Sequence, residues 1–233
     1  MLNGKQVIAI VPARGGSKSI PGKNIRTLGG KPLLVWSVEV AKEVKEIDRI
    51  IVSTDDEQIA SVGRDCGAEV YRRPPHLATD EALVIDAIKD LVEKVRQEGG
   101  VLEWIALLEP TCPLRTSQDV RSCLSLVAEG TYDSVATFKE AELNPHRAWR
   151  LVDGTPQVFI PGAIPWLPRQ KLPKAYQLNG AVYVFRADIL ADESKSLLVG
   201  RLGAVTMPRE RSQDIDDSVD FMIVEALLRS TDK

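Results

Sequence analysis

The sequence predicts an α/β protein in which a mostly parallel sheet carries helices on both faces. Short apolar runs alternate along the chain with segments whose apolar residues recur at helical spacing. This alternation has the spacing of repeated β-α-β units, which place their strands parallel in one sheet. A glycine-rich loop also follows the first apolar run directly, at the point where such sheets bind ligands.

Seven strands and five helices account for the alternation. The strands are predicted over residues 6–11, 48–54, 68–71, 104–108, 134–138, 180–185 and 199–206. The helices are predicted over residues 32–44, 56–66, 81–96, 118–129 and 217–229. Pro32 suits the first turn of a helix, where its missing N–H is not needed, and Gly67 ends the second helix. Ile85, Ile88 and Leu91 lie on one face of the third helix and predict its buried stripe.

The alternation stops after residue 138. Residues 144–173 are rich in proline, contain Trp149 and Trp166, and show no long helical stripe. Linkers rarely carry large aromatic side chains. We therefore expect a single domain over residues 1–233 with an insertion at about 140–175.

The composition excludes several classes of protein. A chain of 233 residues with 44% hydrophobic residues can bury a core without disulfides. The net charge of −3 argues against a nucleic-acid partner. Cys66, Cys112 and Cys123 have no metal-binding spacing and are expected to be reduced thiols. No apolar stretch approaches the length of a membrane span, so we expect no membrane partner and a cytoplasmic location.

The loop after the first strand is the strongest functional signal. It carries Arg14, Lys18 and Lys23 among several glycines, a combination that suits a polyphosphate. Asn24 stands where a Walker A loop has the Ser or Thr that binds magnesium, so the loop is not of that type. The alternative is a solvated basic turn, but the position after the first strand favours phosphate binding.

An acidic segment near the end of the chain is the second signal. Asp214 and Asp216 are two residues apart, so on an extended segment both point to one face and can share Mg²⁺. The alternative is helix capping by Asp216 or Asp217. Both can hold, with Asp217 as the cap and the earlier pair as metal ligands.

Seven motifs in order along the chain resemble the acylneuraminate cytidylyltransferases, the CMP-sialic acid synthetases. They read A-R-x-x-S-K-x-x-x-x-K-N at 13–24, I-I-V-S-T-D at 50–55, R-P-x-x-L-A-T-D at 73–80, P-T-x-P-L-R at 110–115, P-R-Q-x-L-P at 168–173, N-G-A-x-Y at 179–183 and D-I-D at 214–216. The resemblance implies a Rossmann-like nucleotidyltransferase fold, with an inserted subdomain that helps to form a homodimer. It also implies transfer of CMP from CTP to a nine-carbon 2-keto sugar acid, with Mg²⁺ as cofactor and release of pyrophosphate.

The resemblance assigns roles to individual residues. Those implied to bind the nucleotide are Arg14, Gly15, Ser17, Lys18, Lys23, Asn24, Arg73 and Ala82. Those implied on the sugar side are Glu109, Thr111, Arg147, Arg169, Asn179 and Tyr183, with Arg169 as partner of the sugar carboxylate. The implied catalytic residues are Arg14, Lys23, Asp214 and Asp216, of which Asp214 and Asp216 are the metal ligands.

The sequence departs from the family pattern on the sugar side. Glu109 stands where sialic acid enzymes typically have Gln, and Arg147 stands where many members have Lys. The acceptor therefore stays open among nonulosonic acids, such as N-acetylneuraminic, legionaminic or pseudaminic acid.

Two alternative functions stay open for the protein as a whole: a related enzyme such as a CMP-Kdo synthetase, and a non-catalytic nucleotide-binding protein. Asn24, Arg169 and Asn179 argue against the first.

Overall fold

The computed structural model describes residues 1–99, 102–190 and 195–231. The strands are β1 (Val7–Pro12), β2 (Thr27–Leu28), β3 (Lys31–Pro32), β4 (Arg49–Thr54), β5 (Glu69–Arg72), β6 (Trp104–Leu107), β7 (Ser134–Glu140), β8 (Trp149–Val152), β9 (Thr155–Val158), β10 (Tyr176–Arg186) and β11 (Leu202–Thr206). The helices are α1 (Leu33–Lys42), α2 (Glu57–Asp65), α3 (Val84–Gln97), α4 (Ser117–Ala128) and α5 (Ser218–Thr231).

The central sheet has seven strands in the order β11-β7-β10-β6-β1-β4-β5. Strand β1 lies well inside it and pairs in parallel with β4 and β6, while β4 pairs in parallel with β5. Strand β11 is parallel to β7. Strand β10 runs antiparallel to its neighbours β6 and β7. The predicted fold class, a mostly parallel sheet, is confirmed.

Both faces of the sheet are buried, which explains the unbroken apolar run of β1. Val7, Ala9 and Val11 belong to a core cluster with residues of α1, α2 and α4. Ile8 and Ile10 point the other way, into a second cluster with Ile88 and Leu91 of α3 and their neighbours. Successive side chains of a strand alternate between faces, so a strand covered on both sides is apolar at every position.

Several element boundaries differ from the prediction. Helix α3 begins at Val84 rather than at residue 81, and Pro32 precedes α1 as its N-cap. The segment between the first predicted strand and the first predicted helix contains β2, which pairs with β3 in a short antiparallel hairpin. Strand β10 begins at Tyr176 because its first residues pair with the end of β7.

Residues 141–175, which we call the arm, form no helix longer than one turn. Strands β8 and β9 pair antiparallel in a hairpin of their own, separate from the central sheet. The rings of Trp149 and Trp166 pack with centroids 6.2 Å apart, yet Trp166 remains 83% exposed. Leu151, Phe159 and Ile164 are also exposed. The arm therefore places an unusual amount of apolar surface outside the core.

None of the helices in the described part of the chain combines the length and apolarity needed to cross a bilayer. All three cysteines are free thiols, as predicted.

Candidate active site

A cleft of about 430 Å³ lies at the carboxyl ends of β1, β5 and β6. Parallel strands end on the same edge of a sheet, so the loops that follow them converge there. Six residues predicted to bind nucleotide line this cleft, namely Arg14, Ser17, Lys18, Lys23, Asn24 and Arg73. Glu109, Thr111 and Asp216 line it too. The fold thus brings residues from four distant stretches of the chain together.

The loop after β1 is held in place from two directions. The buried Asn24 side chain donates from Nδ2 to the carbonyl of Arg14 at 3.0 Å. The N–H of Gly15 donates to Oδ1 of Asp55, which follows β4, at 3.0 Å. A Cβ on Gly15 would lie 2.9 Å from Cβ of Asp56, so this position requires glycine. The contacts order the loop before any ligand binds.

Arg14 and Lys18 contact one carboxylate of the segment between β5 and α3. Nη1 of Arg14 donates to the Thr79 carbonyl at 3.0 Å and to Oδ1 of Asp80 at 2.8 Å. Nζ of Lys18 lies 2.5 Å from Oδ2 of Asp80. Hydrogen bonds from Lys18 and Arg14 hold the pKa of Asp80 below its ordinary value. The motif R-P-x-x-L-A-T-D includes Asp80, but no sequence pattern predicts these contacts.

Arg73 lies buried under the cleft. Its Nη2 donates to the Ser53 carbonyl at 3.0 Å and its Nε to Oγ of Ser53 at 3.3 Å. Burial lowers the pKa of Arg73, and the nearby Asp55 opposes this effect. Ala82, which was predicted to bind the nucleotide, does not line the cleft, whereas Val84 does.

The acidic segment, residues 214–217, borders the cleft through Asp216 and is held by the loop after β1. Nζ of Lys23 donates to the carbonyl of Ile215 at 2.9 Å, and Oγ of Ser19 donates to the carbonyl of Asp216 at 2.5 Å. Asp217 accepts from the N–H groups of Val219 and Asp220, at 2.7 and 3.1 Å. The prediction that Asp217 caps the last helix is therefore confirmed. The side chain of Asp216 is left exposed.

The residues present fit a magnesium ion. Oδ1 of Asp214 is buried and has no hydrogen-bond partner in the described part of the chain. Burial raises the pKa of Asp214, and the charge of Asp216 adds to this, while a hydrogen bond with Thr111 and the charge of Lys23 oppose it. The net effect disfavours the charged form of Asp214. No group of three or more His, Cys, Asp or Glu among the described residues is arranged to hold a metal ion. Two carboxylates are nevertheless sufficient for Mg²⁺, which retains water and phosphate ligands.

Glu109 is the most strongly perturbed carboxyl of the cleft. Burial raises its pKa to about 7, and the charge of Asp214 adds to the effect. Gly180 lies between the two, with a φ of +73°: a Cβ there would lie 3.5 Å from Oε2 of Glu109 and 3.7 Å from Oδ2 of Asp214. Glycine therefore suits this position both by conformation and by the closeness of the carboxyl groups.

The remaining residues predicted on the sugar side divide into two groups. The buried side chain of Asn179 makes four hydrogen bonds within the protein. Its Nδ2 donates to Ser212 and Met207, and its Oδ1 accepts from Thr137 and Ala181. Tyr183 lies beside Glu109 and Asp214, and burial raises its pKa. The amide of Asn179 thus supports the site from behind, and contact with a sugar stays a prediction for both residues.

Arg147 and Arg169 form the second group and lie on the arm. Nη2 of Arg147 donates to the Leu167 carbonyl at 2.8 Å, and Nη2 of Arg169 pairs with Oε1 of Glu140 at 2.6 Å. Neither residue is among those that line the cleft in the described part of the chain. The structure does not bring them together with the other predicted sugar-side residues.

Arg115 is a buried cation to which the sequence patterns assign no role. Its Nη1 donates to Oγ of Ser37 at 2.6 Å, and its Nη2 donates to the backbone carbonyl of Glu109. Burial lowers the pKa of Arg115 to about 10. The guanidinium therefore secures the turn that presents Glu109 and Thr111 to the cleft. A charged residue in the apolar turn P-T-x-P-L-R is the signal that points to such a role.

Residues 8–197 match the profile of a protein family described as Cytidylyltransferase. This match covers well over half of the chain. The chain belongs to the cytidylyltransferase family. It is therefore a nucleotidyltransferase, and the family resemblance read from the sequence motifs is confirmed.

Relatives of this cytidylyltransferase include enzymes named for sialic-type sugars. A CMP-N,N'-diacetyllegionaminic acid synthase of Legionella pneumophila is 32% identical over 96% of each chain. The post-translational flagellin modification protein B of Campylobacter coli is 30% identical over 96% of this chain and 95% of its own. An N-acylneuraminate cytidylyltransferase of Streptococcus agalactiae serotype V is 33% identical over 93% of this chain. The present chain spans about half, 52%, of that last relative.

Solved structures show the same fold at lower sequence identity. A CMP:2-keto-3-deoxy-manno-octonic acid synthetase complexed with CTP superposes with a TM-score of 0.71, at 19% identity, over 97% of this chain and 100% of its own. A 4-diphosphocytidyl-2C-methyl-D-erythritol synthase superposes with a TM-score of 0.69, at 15% identity, over 96% of this chain and 99% of its own. The predicted Rossmann-like nucleotidyltransferase fold is confirmed by these superpositions.

Proposed function

We propose that this cytidylyltransferase transfers CMP from CTP to the anomeric hydroxyl of a nine-carbon 2-keto sugar acid of the sialic type. The observation that carries the proposal is the cleft, in which cations of the loop after β1 face Glu109, Thr111 and Asp216. The sugar oxygen attacks the α-phosphorus, the bond between the α-phosphorus and the oxygen that bridges to the β-phosphate breaks, and pyrophosphate leaves. Relatives of nearly equal length that are named for legionaminic acid support this choice of acceptor.

Arg14, Lys18 and Lys23 are proposed to bind the triphosphate. Each supplies N–H donors and positive charge at the cleft, and the ordered backbone around Gly15, Ser17 and Asn24 brings the chain close to a ligand. Phosphoryl transfer depends mainly on positioning and on neutralising charge in the transition state. Lys23 also contacts the Ile215 carbonyl, so it links the triphosphate loop to the acidic segment.

Asp214 and Asp216 are proposed to hold Mg²⁺. When bound, the ion would neutralise phosphate charge and orient the reacting oxygens. The unpartnered Oδ1 of Asp214 and the exposed carboxylate of Asp216 are the two donors available for it. Lys23 and Ser19 hold the backbone of this segment through the carbonyls of Ile215 and Asp216.

Glu109, Thr111, Asn179 and Tyr183 are proposed to form the floor of the sugar side. Glu109 and Thr111 line the cleft directly, whereas Asn179 and Tyr183 act from β10 behind them. Arg169 is proposed to grip the sugar carboxylate, because a guanidinium binds a carboxylate with two parallel hydrogen bonds. To do so, Arg169 must first give up its ion pair with Glu140. Both side chains of this pair are exposed, so the pair is weak.

The decisive assay measures pyrophosphate release from CTP, ATP, GTP and UTP with a panel of 2-keto sugar acids. We expect turnover with CTP and at least one nine-carbon acid, with little turnover of the other nucleotides. Preference for an eight-carbon acid would support the related CMP-Kdo reaction instead. Equal or faster turnover of another nucleotide would overturn the cytidylyl assignment.

We further propose that the protein is a cytoplasmic homodimer joined through the arm. The exposed side chains of Leu151, Phe159 and Trp166 are the apolar surface available for self-association. Sedimentation analysis should show a dimer that Trp166→Ser weakens. Met222→Ser, which changes an exposed apolar residue of α5 instead, is the control and should leave the dimer intact. A monomeric wild-type protein would contradict the proposal.

A further inference from the structure

Asp80 forms ion pairs with two of the three cations that the proposed function assigns to the triphosphate, Arg14 and Lys18. One carboxylate oxygen lies 2.8 Å from Arg14 and the other lies 2.5 Å from Lys18. Asp80 belongs to the segment between β5 and α3, whereas both cations belong to the loop after β1. One side chain thus links two segments that each contribute residues to the lining of the cleft.

The carboxylate of Asp80 resembles a phosphate group in its negative charge and in its acceptor oxygens. It is an anion that offers one oxygen to a guanidinium and one to an ammonium group. A terminal phosphate needs the same donors, so the two anions compete for Arg14 and Lys18. Asp80 carries its negative charge firmly, since Lys18 and Arg14 lower its pKa.

We infer that Asp80 exchanges with the phosphates of the nucleotide: it holds Arg14 and Lys18 when the cleft is empty, yields them to the triphosphate, and takes them back as pyrophosphate leaves. This inference rests on the proposed function, which assigns both cations to the triphosphate. Asp80 would then set how tightly CTP and pyrophosphate bind, without touching the reacting atoms. Its benefit is faster release of the product, because the cations regain a partner as the product departs.

The exposure of the ion pairs makes this exchange feasible. The side chains are 35% exposed at Arg14, 79% at Lys18 and 42% at Asp80. Such exposed pairs contribute little stability, because water and ions screen them and the side chains lose conformational freedom. A triphosphate with several negative charges therefore displaces one carboxylate readily, while a monoanion competes with it less well.

The test compares Asp80→Asn with Glu81→Gln. Both substitutions remove one negative charge from the same exposed segment, but Asp80 pairs with Arg14 and Lys18, whereas Glu81 forms no such ion pair in the described part of the chain. Calorimetry measures the Kd of CTP, of inorganic pyrophosphate and of cytidine for each protein. We expect Asp80→Asn to tighten CTP and pyrophosphate about two- to tenfold, the range that loss of two weak surface pairs allows. Cytidine binding and the Glu81→Gln protein should match the wild type.

The turnover of Asp80→Asn gives a second readout. Tighter pyrophosphate binding should lower the inhibition constant of pyrophosphate and the KM of CTP together, with kcat unchanged or reduced. Weaker binding of CTP and pyrophosphate by Asp80→Asn would overturn the inference and make Asp80 a residue that orients the cations for phosphate. Affinities equal to those of Glu81→Gln would overturn it as well.

Failure of the exchange is distinguishable from failure of the proposed function. If the wild-type protein binds pyrophosphate and turns over CTP but Asp80→Asn binds them no more tightly, only the exchange is wrong. If the wild type neither binds CTP nor releases pyrophosphate from it, the proposed function fails. Denaturation by urea shows whether Asp80→Asn is folded, and Asp80→Ala repeats the comparison without an amide that can still hydrogen-bond Arg14.

Discussion

Replacing Glu109 by glutamine should remove a large part of the dependence of stability on pH. Burial beside Asp214 raises the pKa of Glu109 from its ordinary 4.5 to about 7. Between these values the folded protein keeps a proton that the unfolded chain loses, so stability falls as the pH rises through the window. The stabilisation is complete below pH 4.5 and is lost above the folded pKa of about 7.

The size of the effect follows from the two pKa values. The difference between 4.5 and about 7 corresponds to roughly 3 kcal/mol of unfolding free energy by pH 8. The amide introduced by Glu109→Gln cannot ionise. The difference in unfolding free energy between this variant and the wild type, called the stability gap below, should therefore shift by roughly 3 kcal/mol in favour of the variant between pH 4.5 and pH 8. At the midpoint of thermal unfolding it amounts to about 6–12 °C for a chain of this size.

Urea denaturation at each pH measures this gap, with a chelator present. Glu81→Gln, at an exposed carboxyl, is the control and should show no such change. Added Mg²⁺ should reduce the change, because a cation held by Asp214 removes the repulsion on Glu109. A gap that stays constant from pH 4.5 to pH 8 would show that Glu109 does not carry the raised pKa, and the reasoning would be refuted.

The other predictions concern the metal pair and the two halves of the site. Asp216→Asn should lower turnover at least about a hundredfold at limiting Mg²⁺. The fold should persist because the side chain is exposed, and near-normal turnover would contradict the metal role. Arg169→Ala should raise the KM for the sugar acid and leave the Kd of CTP by calorimetry nearly unchanged; the opposite pattern would mean that the division of the site is wrong. Lys23→Ala should chiefly reduce kcat, because its charge supports the departing pyrophosphate, and a change confined to the sugar KM would exclude that role.

The secondary structure was largely predictable because it depends on local patterns. The unbroken apolar run of β1 indicates a strand that is buried on both faces. The helical spacing of apolar residues in α3 indicates a helix that is buried on one face. Neither pattern reports strand direction, so the antiparallel course of β10 was not visible in the sequence. The β8–β9 hairpin was also missed, because its side chains are mostly exposed and lack an alternating pattern.

The residues of the cleft were predictable where residues of one chemical type lie close together along the sequence. Arg14, Lys18 and Lys23 stand in one loop, and Asp214 and Asp216 stand two residues apart. Their assigned roles in catalysis, in binding and in holding Mg²⁺ stay predictions, although most of these side chains do meet in one cleft. The magnesium ion, the homodimer and the cytoplasmic location likewise stay predictions.

By itself, the sequence determined the fold class, the order of the helices and of the strands of the central sheet along the chain, and the family. These follow from the hydrophobic pattern and from motifs that are local in the chain. Only the tertiary structure decided which charges act on one another. Asp80 forms ion pairs with Arg14 and Lys18, and Glu109 lies close to Asp214, although these residues are far apart in the sequence. Electrostatic interaction depends on distance and burial in space, and neither can be read from separation along the chain.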